Sequence, residues 1–325
     1  MTALLDVEGL SVELPTPRGP LFALSGVDLS LQRGRSLGVV GESGSGKTML
    51  ARAILRLLPP AARVSGRASY EGRDLQGLDE EALRALRGRE IAVVFQDPMT
   101  SLNPVLTVGL QITETLREHL GLAGSAARAR AVELLASVGI PEAERRAGQY
   151  PHQLSGGMRQ RVAIAIALSC EPRLLLADEP TTALDVTVQA QILDLLARER
   201  TRRNMAMMLI THDLGVVAGR TDDVMVMYAG KVMERAPTRE LFKRMRHPYT
   251  EALLGAIPKL DAPPHAPLMA IAGTPPDPTR PAPGCAFSPR CGHALARCRE
   301  AAPALGAADK LLHQSACWFP LTGQA

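Results

Sequence analysis

The chain has 325 residues, of which 46% are hydrophobic, 22% charged and 3% aromatic, and its formal net charge is +4. This length and composition predict a globular protein of one large domain or two, and they exclude an intrinsically disordered chain. The few aromatic residues and the small net charge argue against nucleic-acid binding by base stacking or bulk electrostatics, whereas an anionic small ligand or a membrane-surface partner fits equally well.

The sequence contains no run of the roughly 18–20 uncharged apolar residues that a membrane-spanning helix requires. Its N-terminus, which carries Asp6 and Glu8, has neither the basic region nor the apolar run of a secretory signal. The chain is therefore predicted to be cytosolic.

Alternating apolar residues predict strands on both sides of a loop rich in proline and glycine at 15–20, and a buried strand follows at 37–40. A glycine-rich loop and an apolar helix pattern come next, and Pro59 and Pro60 end this helix. Residues 91–95 have the pattern of another buried strand, and residues 108–148 that of helices.

The next part of the chain alternates between helices and strands. Helices are predicted at 158–169 and 186–200, strands at 174–177 and 206–211, and a hairpin over 224–235. This alternation predicts an α/β fold with a largely parallel sheet, into which a helical subdomain of about residues 97–165 is inserted.

The composition changes after residue 257, because ten prolines fall between Pro258 and Pro289. Such a segment predicts a linker or a loop-rich appendage that does not continue the α/β core. We therefore expect one domain over 1–257 and a C-terminal appendage over 258–325.

A run of eight residues between a predicted strand and a predicted helix has the spacing of a phosphate-binding P-loop. The run is Gly41, Glu42, Ser43, Gly44, Ser45, Gly46, Lys47 and Thr48. The glycines let backbone N–H groups point at phosphate oxygens, which the positive end of the following helix also attracts. Lys47 is expected to reach the β- and γ-phosphates of a nucleotide and Thr48 to hold Mg²⁺, the alternative being an ordinary turn before a helix.

Two carboxylates follow the predicted strand at 174–177. Asp178 fits a residue that stabilises Mg²⁺ through its water shell, and Glu179 fits one that polarises the attacking water. The alternative is a helix N-cap followed by a solvated acid. Downstream of a P-loop, this alternative is the weaker interpretation.

Residues 154–158, LSGGM, begin the helix predicted after them. Ser155 and the N–H groups of Gly156 and Gly157 would form an anion-binding start to this helix. The segment resembles the LSGGQ signature of ATP-binding-cassette (ABC) ATPases, from which it departs at Met158. In that family the signature of one subunit serves the nucleotide bound by the opposite subunit.

Three further matches follow the order of the same family. Gln96 resembles the Q-loop glutamine, Asp185 ends a match to the D-loop at 183–185, and His212 resembles the switch histidine. The resemblance implies that Gln96 senses the γ-phosphate and belongs to the Mg²⁺ site, and that Asp185 belongs to the nucleotide site. It also implies that Glu179 orients water for in-line attack, while His212 and Lys47 stabilise the transferring phosphoryl group.

The cofactors implied are ATP and Mg²⁺. Phe22 precedes the P-loop and lies near the place where the family has an aromatic residue stacked on adenine. A packed core residue is an equally good interpretation of Phe22.

Residues 247–250, HPYT, and the segments 98–104 and 150–152 resemble the ATPase subunits of bacterial oligopeptide, dipeptide and nickel importers. This resemblance covers nearly the whole chain. It implies an ATPase that energises di- or oligopeptide import, or import of nickel or another small solute, at the cytoplasmic face of the bacterial inner membrane. The implied partners are a second, homologous ABC ATPase in a heterodimer, two transmembrane permeases and an extracytoplasmic solute-binding protein, with no nucleic acid.

A soluble ABC ATPase that acts on DNA or ribosomes is the alternative class. DNA-repair members of that class carry a long coiled-coil insertion within the cassette, whereas the insertion here is short. Ribosomal members usually carry two cassettes, and this chain has one. The importer is therefore the favoured interpretation.

Four of the five cysteines lie in the last 41 residues, and in a reducing cytosol such a cluster suggests a metal before disulfides. They are Cys285, Cys291, Cys298 and Cys317. Four thiolates match a [4Fe–4S] cluster, and they also match zinc, although zinc ligands usually stand closer in sequence. His293 or His313 could replace a cysteine in such a site, and free buried thiols are a further alternative. The resemblance to peptide-importer ATPases implies a structural [4Fe–4S] cluster, with Zn²⁺ as the alternative.

Overall fold

The structure is a computed structural model, and it describes residues 3–97, 101–182, 184–257, 270–307 and 313–322. Ala183 of the D-loop match, residues 98–100 of the importer-like segment and residues 258–269 of the proline-rich segment lie outside the described residues. The chain divides into two compact units. The first draws on Met1–Leu31, Ser36–Gln76 and Thr211–Ala325, and the second on Gln32–Arg35 and Gly77–Ile210.

The strands of the described residues are β1 Leu5–Thr16, β2 Gly19–Leu31, β3 Ser36–Val40, β4 Arg63–Tyr70, β5 Arg73–Asp74, β6 Ile91–Val94, β7 Leu174–Asp178, β8 Ala206–Thr211, β9 Asp223–Tyr228, β10 Lys231–Pro237, β11 Gly306–Ala307 and β12 Gln314–Ser315. The α-helices are α1 Lys47–Ile54, α2 Glu80–Leu86, α3 Val108–Leu120, α4 Gly124–Ser137, α5 Ala143–Ala147, α6 Gly156–Leu168, α7 Val186–Arg203, α8 Leu214–Val217, α9 Thr238–Lys243, α10 Pro248–Gly255 and α11 Ala296–Glu300. Short 3₁₀ helices lie at Pro151–Gln153 and Ser288–Arg290. Within the ranges that the structure describes, no helix is both long enough and apolar enough to cross a membrane.

The first unit contains an antiparallel sheet with the strand order β2-β1-β4-β5. Leu5 of β1 lies opposite Leu31 on one side and Tyr70 on the other, and all three side chains are buried. The sequence pattern indicated β1 and β2 but not β4, whose first five residues are exposed and include Arg63 and Arg67. A strand whose buried residues are confined to its last three positions lacks the alternation by which strands are recognised.

A second sheet in the first unit has the order β11-β12-β10-β9-β3. β3 and β9 are parallel, and β9 and β10 form the predicted hairpin, whose turn residues Ala229 and Gly230 have φ values of +46° and +77°. This left-handed pair is typical of a tight hairpin turn. At the far edge Ser315 of β12 pairs with Glu234 of β10. The prediction that the appendage does not continue the core was therefore wrong for β11 and β12, two-residue strands too short to leave a pattern.

The second unit contains the parallel strands β6, β7 and β8, with β7 in the middle. Every residue of β7 and β8 is buried. The residues predicted to be helical at 108–148 form three helices, α3 to α5, which are separated where Gly121 and Gly139 adopt left-handed φ values of +66° and +80°. α4 packs against both α3 and α6. The helices thus form the inserted subdomain that the sequence predicted.

Capping side chains fix where α6 and α7 begin. The Oγ of Ser155 accepts a hydrogen bond of 3.3 Å from the N–H of Met158, so α6 begins two residues before the predicted start. The carboxylate of Asp185 accepts a bond of 2.9 Å from the N–H of Val188 and starts α7. Asn204, in the left-handed conformation, ends α7.

Candidate functional site

The loop between β3 and α1 encloses the ammonium group of Lys47. The Lys47 Nζ donates hydrogen bonds to the carbonyls of Gly41 at 2.7 Å and Glu42 at 2.9 Å, and to the Ser45 hydroxyl at 3.3 Å. Only 4% of Lys47 is exposed. A positive charge is therefore held within the curve of the loop, where α1 also presents the positive end of its dipole.

Neighbouring backbone supports this loop closely. Gly46 has a φ of +102°, and a Cβ atom there would lie 2.7 Å from the carbonyl oxygen of Ala23. The N–H of Gly230 donates to the carbonyl of Ser45 at 3.0 Å. A larger residue at position 46 would suffer both the clash and the left-handed strain, so this glycine is required by the loop's shape.

The remaining loop residues differ in exposure. Ser43 and Gly44 are exposed, whereas Ser45 is buried, and Thr48 is half-buried on the first turn of α1. His212, in the same unit, is exposed directly after β8.

Phe22 lies on β2 opposite Glu13 and is half-buried. Its backbone N–H donates a hydrogen bond of 3.1 Å to the carbonyl of Pro278 in the appendage. The strand that carries Phe22 is therefore held on one side by the C-terminal part of the chain, a contact that the sequence pattern did not indicate.

Glu42 of the loop contacts two residues, Arg290 and Tyr249, that the sequence interpretation did not single out as functional. Its carboxylate forms a two-pronged ion pair with the Arg290 guanidinium, at 2.7 and 3.0 Å. Its N–H donates to the Tyr249 hydroxyl at 2.9 Å, and the Arg290 guanidinium in turn donates to the Tyr228 hydroxyl at 3.1 Å. Burial raises the pKa of the Tyr249 hydroxyl above its ordinary value, so it stays protonated.

In the second unit the structure brings Gln96 and Glu179 together. The Gln96 Nε2 donates to the Glu179 carboxylate at 3.2 Å, and the hydroxyl of Thr182 donates to the same oxygen at 2.9 Å. Asp178 ends β7 and is 3% exposed. The sequence singled out Gln96, Asp178 and Glu179 separately but missed Thr182, whose only signal was its place three residues after Glu179.

The signature residues lie at the N-terminus of α6. Ser155 and Gly156 are exposed and Gly157 is half-buried. A Cβ on Gly157 would lie 2.7 Å from a methyl group of Val188, so close packing against α7 also requires this glycine. Leu184 lies beside Gly156, which places the end of the D-loop match next to the signature.

The four C-terminal cysteines line one pocket, together with His247, Phe287 and Trp318. Their thiols are free, and the N–H of Cys285 donates to the carbonyl of Cys298 at 2.7 Å. Burial raises the thiol pKa of Cys285 and Cys291, and raises that of Cys317 to about 11. In the described part of the chain, no three histidine, cysteine or carboxylate side chains are arranged as metal ligands. Four thiols are the ligand type that iron–sulfur clusters and zinc take, but the described side chains do not form such a ligand group in this structure.

The two histidines considered as replacement ligands differ in their surroundings. The His313 Nε2 lies 2.6 Å from the buried carboxylate of Glu234, which also accepts from the N–H groups of Arg246 and His247. His293 lines the cysteine pocket, and its Nε2 lies 3.8 Å from a carboxylate oxygen of Glu251. Of the two, only His293 lies among the residues that line the pocket.

Comparison with protein families finds two matches in this chain. Residues 24–182 match the family described as ABC transporter, and residues 233–298 match the family described as oligopeptide/dipeptide transporter, C-terminal region. The first match contains the loop of Lys47 and the segment of Asp178, and the second contains the first three cysteines of the C-terminal cluster.

Two curated relatives cover most of the chain. The chain is 49% identical to the oligopeptide transport ATP-binding protein OppD of Salmonella typhimurium, over 92% of this chain and 89% of that protein. It is 50% identical to the OppD of Bacillus subtilis, over 91% of this chain and 83% of that protein.

Solved structures of cassettes also resemble this chain. A dimeric ATP-binding cassette in a post-hydrolysis state, bound to ADP and phosphate, is 30% identical, with a TM-score of 0.65 over 72% of this chain and 99% of that one. A cassette from Clostridium perfringens, part of an ABC transporter complex, is 29% identical, with a TM-score of 0.63 over 74% of this chain and 91% of that one.

Proposed function

Because the chain belongs to the ABC transporter family, as a relative of oligopeptide transport ATP-binding proteins, we propose that it energises bacterial import of di- and oligopeptides by hydrolysing ATP. The predicted family and the predicted α/β P-loop fold are confirmed. The observation that carries the proposal is the buried Lys47 ammonium inside the loop of residues 41–46. A fixed positive charge ringed by backbone groups is suited to a nucleotide triphosphate.

Each residue of the loop has a proposed part in ATP binding. The backbone that surrounds the phosphates is formed by Gly41, Glu42, Ser43, Gly44, Ser45 and Gly46. Lys47 exchanges its carbonyl partners for the β- and γ-phosphates. Thr48, Asp178 and Gln96 are the proposed Mg²⁺ residues, and Phe22 the proposed adenine contact. Mg²⁺, when bound there, would offset the negative charge of the phosphates.

Hydrolysis requires a water molecule in line with the γ-phosphate. The carboxylate of Glu179, held by Gln96 and Thr182, is the group that we assign to orient this water. His212 and Lys47 stabilise the transferring phosphoryl group in the same proposal. Because the chemistry needs little covalent help from the protein, positioning and charge supply most of the rate.

A second, homologous ATPase is the proposed partner of this chain in a heterodimer. Ser155, Gly156 and Gly157 are exposed or half-buried at the start of α6, with Asp185 exposed at the start of α7. Exposed N–H groups at a helix start can bind the nucleotide held by another subunit. A solved cassette similar to this chain is dimeric, which supports the same arrangement.

The remaining partners are two transmembrane permeases and an extracytoplasmic binding protein, with this chain at the cytoplasmic face of the inner membrane. The match to the oligopeptide/dipeptide C-terminal region favours peptides over nickel as the solute. We propose an ATP-binding domain at 1–257 and an appendage at 258–325, whose strands β11 and β12 extend a sheet of that domain.

The appendage is proposed to hold a [4Fe–4S] cluster through Cys285, Cys291, Cys298 and Cys317, with Zn²⁺ as the alternative. Its support is that all four thiols line one pocket. Such a centre, when bound, would cross-link and stabilise a segment that has little regular hydrogen bonding. The raised thiol pKa values mean that binding must release protons from these cysteines.

Deletion of the gene, followed by uptake assays with labelled peptides and labelled nickel, tests the transport proposal. We expect peptide uptake to be lost and then restored by the wild-type chain, but not by Lys47→Met. Loss of nickel uptake alone would support the alternative solute. Unchanged uptake of both solutes would contradict the importer.

A further inference from the structure

The P-loop contains one acidic residue, Glu42, among the eight residues 41–48. Its backbone carbonyl accepts a hydrogen bond from Lys47, so the residue lies beside the ammonium group that we assign to the phosphates. An unpaired carboxylate at this position would repel the phosphates of an incoming nucleotide. The loop therefore needs some means of countering this charge.

Arg290 of the appendage, 248 positions further along the chain, forms an ion pair with this carboxylate. Both of its terminal nitrogens bond to Glu42, one to each carboxylate oxygen, at 2.7 and 3.0 Å. The Arg290 side chain is 3% exposed and that of Glu42 is 27% exposed. A two-pronged, largely dehydrated pair is among the strongest and most directional contacts that a carboxylate can make.

Arg290 is itself held in one orientation. Its Nε donates to the carbonyl of Ala272 at 2.8 Å, one Nη donates to the carbonyl of Ile271 at 3.1 Å, and the other lies 3.1 Å from the Tyr228 hydroxyl. These contacts fix the guanidinium plane, so the position of Glu42 is set by the appendage rather than by the loop alone.

The backbone of Glu42 is tied to the same region. Its N–H donates to the Tyr249 hydroxyl at 2.9 Å, and the Tyr249 ring packs on Tyr228 and Phe287, with centroid distances of 4.7 and 5.2 Å. Phe287 also lines the cysteine pocket. Side chain and main chain of one P-loop residue are thus both anchored to the last third of the molecule.

We propose that Arg290 is a positioning residue for nucleotide binding, which neutralises Glu42 and fixes it so that the P-loop accepts the phosphates of ATP. This inference rests on the proposed function, because it takes the loop as the phosphate site. In this role Arg290 makes the C-terminal appendage a part of the nucleotide site.

A purely structural role for Arg290, in which it only holds Ile271 and Ala272 in place, predicts a different result. Loss of these contacts would weaken ATP binding whatever residue stands at position 42. Loss of charge neutralisation would be reversed when the carboxylate is removed as well. A double-mutant cycle between Arg290 and Glu42 separates the two roles.

The test uses the full-length chain and isothermal titration with ATP and with ADP in the presence of Mg²⁺. We expect Arg290→Met to weaken ATP binding roughly tenfold, and ADP binding by less, because ADP carries less charge. Glu42→Gln added to Arg290→Met should restore most of the ATP affinity. Arg290→Lys, which keeps the charge but loses one prong, should fall between wild type and Arg290→Met.

Thermal unfolding of each variant shows whether it is folded at the titration temperature. If Arg290→Met does not fold, the same cycle is measured with Arg290→Lys. We then expect ATP affinity to fall several-fold and to recover when Glu42→Gln is added. Unchanged ATP affinity, or a loss that Glu42→Gln does not reverse, would overturn the inference while leaving the proposed function intact. A wild-type chain that binds no ATP would overturn both.

Discussion

The Gln96 side-chain amide donates a hydrogen bond of 3.2 Å to the carboxylate of Glu179, on the same oxygen that accepts from Thr182. Glu179 also has a φ of +46°, a left-handed conformation that is unfavourable for a residue with a side chain. Its N–H is bonded to the carbonyl of Ile210 at 2.9 Å, which helps to hold this backbone in place. Strained residues of this kind concentrate at functional sites, which supports a role for Glu179 in the chemistry.

We predict that Glu179→Gln binds ATP but hydrolyses it roughly 100-fold more slowly or worse, because an amide cannot accept the proton of the attacking water. Gln has the same shape as Glu and can keep the contact with Thr182. The measurement is steady-state ATPase activity in the assembled complex, with ATP binding measured in parallel.

The matched control is Glu171→Gln, an exposed glutamate of the same unit that also has a left-handed backbone, with a φ of +55°. It should hydrolyse ATP at the wild-type rate. Near-wild-type turnover at the site that carries Glu179→Gln would refute the assignment of Glu179.

The elements around the P-loop could be predicted because their signals are local. A buried strand, a run of glycines and an apolar helix lie within 19 residues of sequence, and the structure has β3 and α1 in these places. The capping role of Ser155 and Asp185 follows from side chains that favour helix starts. Local patterns therefore gave the positions of most candidate site residues.

The contact between Glu42 and Arg290 could not be predicted in this way. Its partners are 248 residues apart, and Arg290 lies in a segment that lacks regular periodicity. Neither residue has a neighbour in sequence that reveals the pairing. An ion pair between distant residues depends on the tertiary fold that brings them together and not on local propensity. The left-handed backbone of Glu179 was missed for a related reason, since glutamate gives no turn signal.

A second prediction concerns the acid stability of the fold, through the imidazole of His247. This residue is 1% exposed, and its Nδ1 accepts a hydrogen bond of 3.0 Å from the N–H of Tyr249 at the start of α10. Burial lowers its pKa from the ordinary 6.5 to about 4, an effect that nearby Glu234 partly opposes. The unfolded chain therefore binds a proton at His247 between these pH values and the folded chain does not.

The stability of the folded state should consequently fall as the pH is lowered from 6.5 towards 4, by at most roughly 3 kcal/mol from this residue. Urea unfolding at several pH values measures the free energy of unfolding. His247→Asn keeps an acceptor for the helix start but cannot be protonated, so its free energy should vary less with pH than that of the wild type. Equal pH dependence in the two proteins would show that His247 is not the group responsible.

A third prediction concerns the chain without its partners. Its own signature loop is proposed to serve another subunit's nucleotide, so its own site lacks the N–H groups that a partner supplies. The isolated chain should hydrolyse ATP slowly, and activity should rise by roughly 100-fold when the second ATPase and the permeases are added.

The mass of the isolated sample is measured by light scattering, since a self-associated chain could supply its own signature. Ser155→Ala in this chain, combined with wild-type partner, should lower hydrolysis at the partner's site and leave ATP binding at Lys47 unchanged. Full activity in a sample shown to be monomeric would contradict the requirement for a partner.

The last prediction concerns the cysteine pocket, in which Cys298 is buried and the other three thiols are half-buried. Protein purified without oxygen should be brown, absorb near ~400 nm and contain about four irons per chain. Cys298→Ser should lose the colour and the iron, because one of four ligands is missing. Cys170→Ser is the matched control, since this buried cysteine lies in the other unit, where its thiol contacts the carbonyl of Thr115, and its loss should leave the iron in place. A colourless protein with one zinc per chain would establish the alternative metal, and a metal-free wild type with four reactive thiols would contradict both.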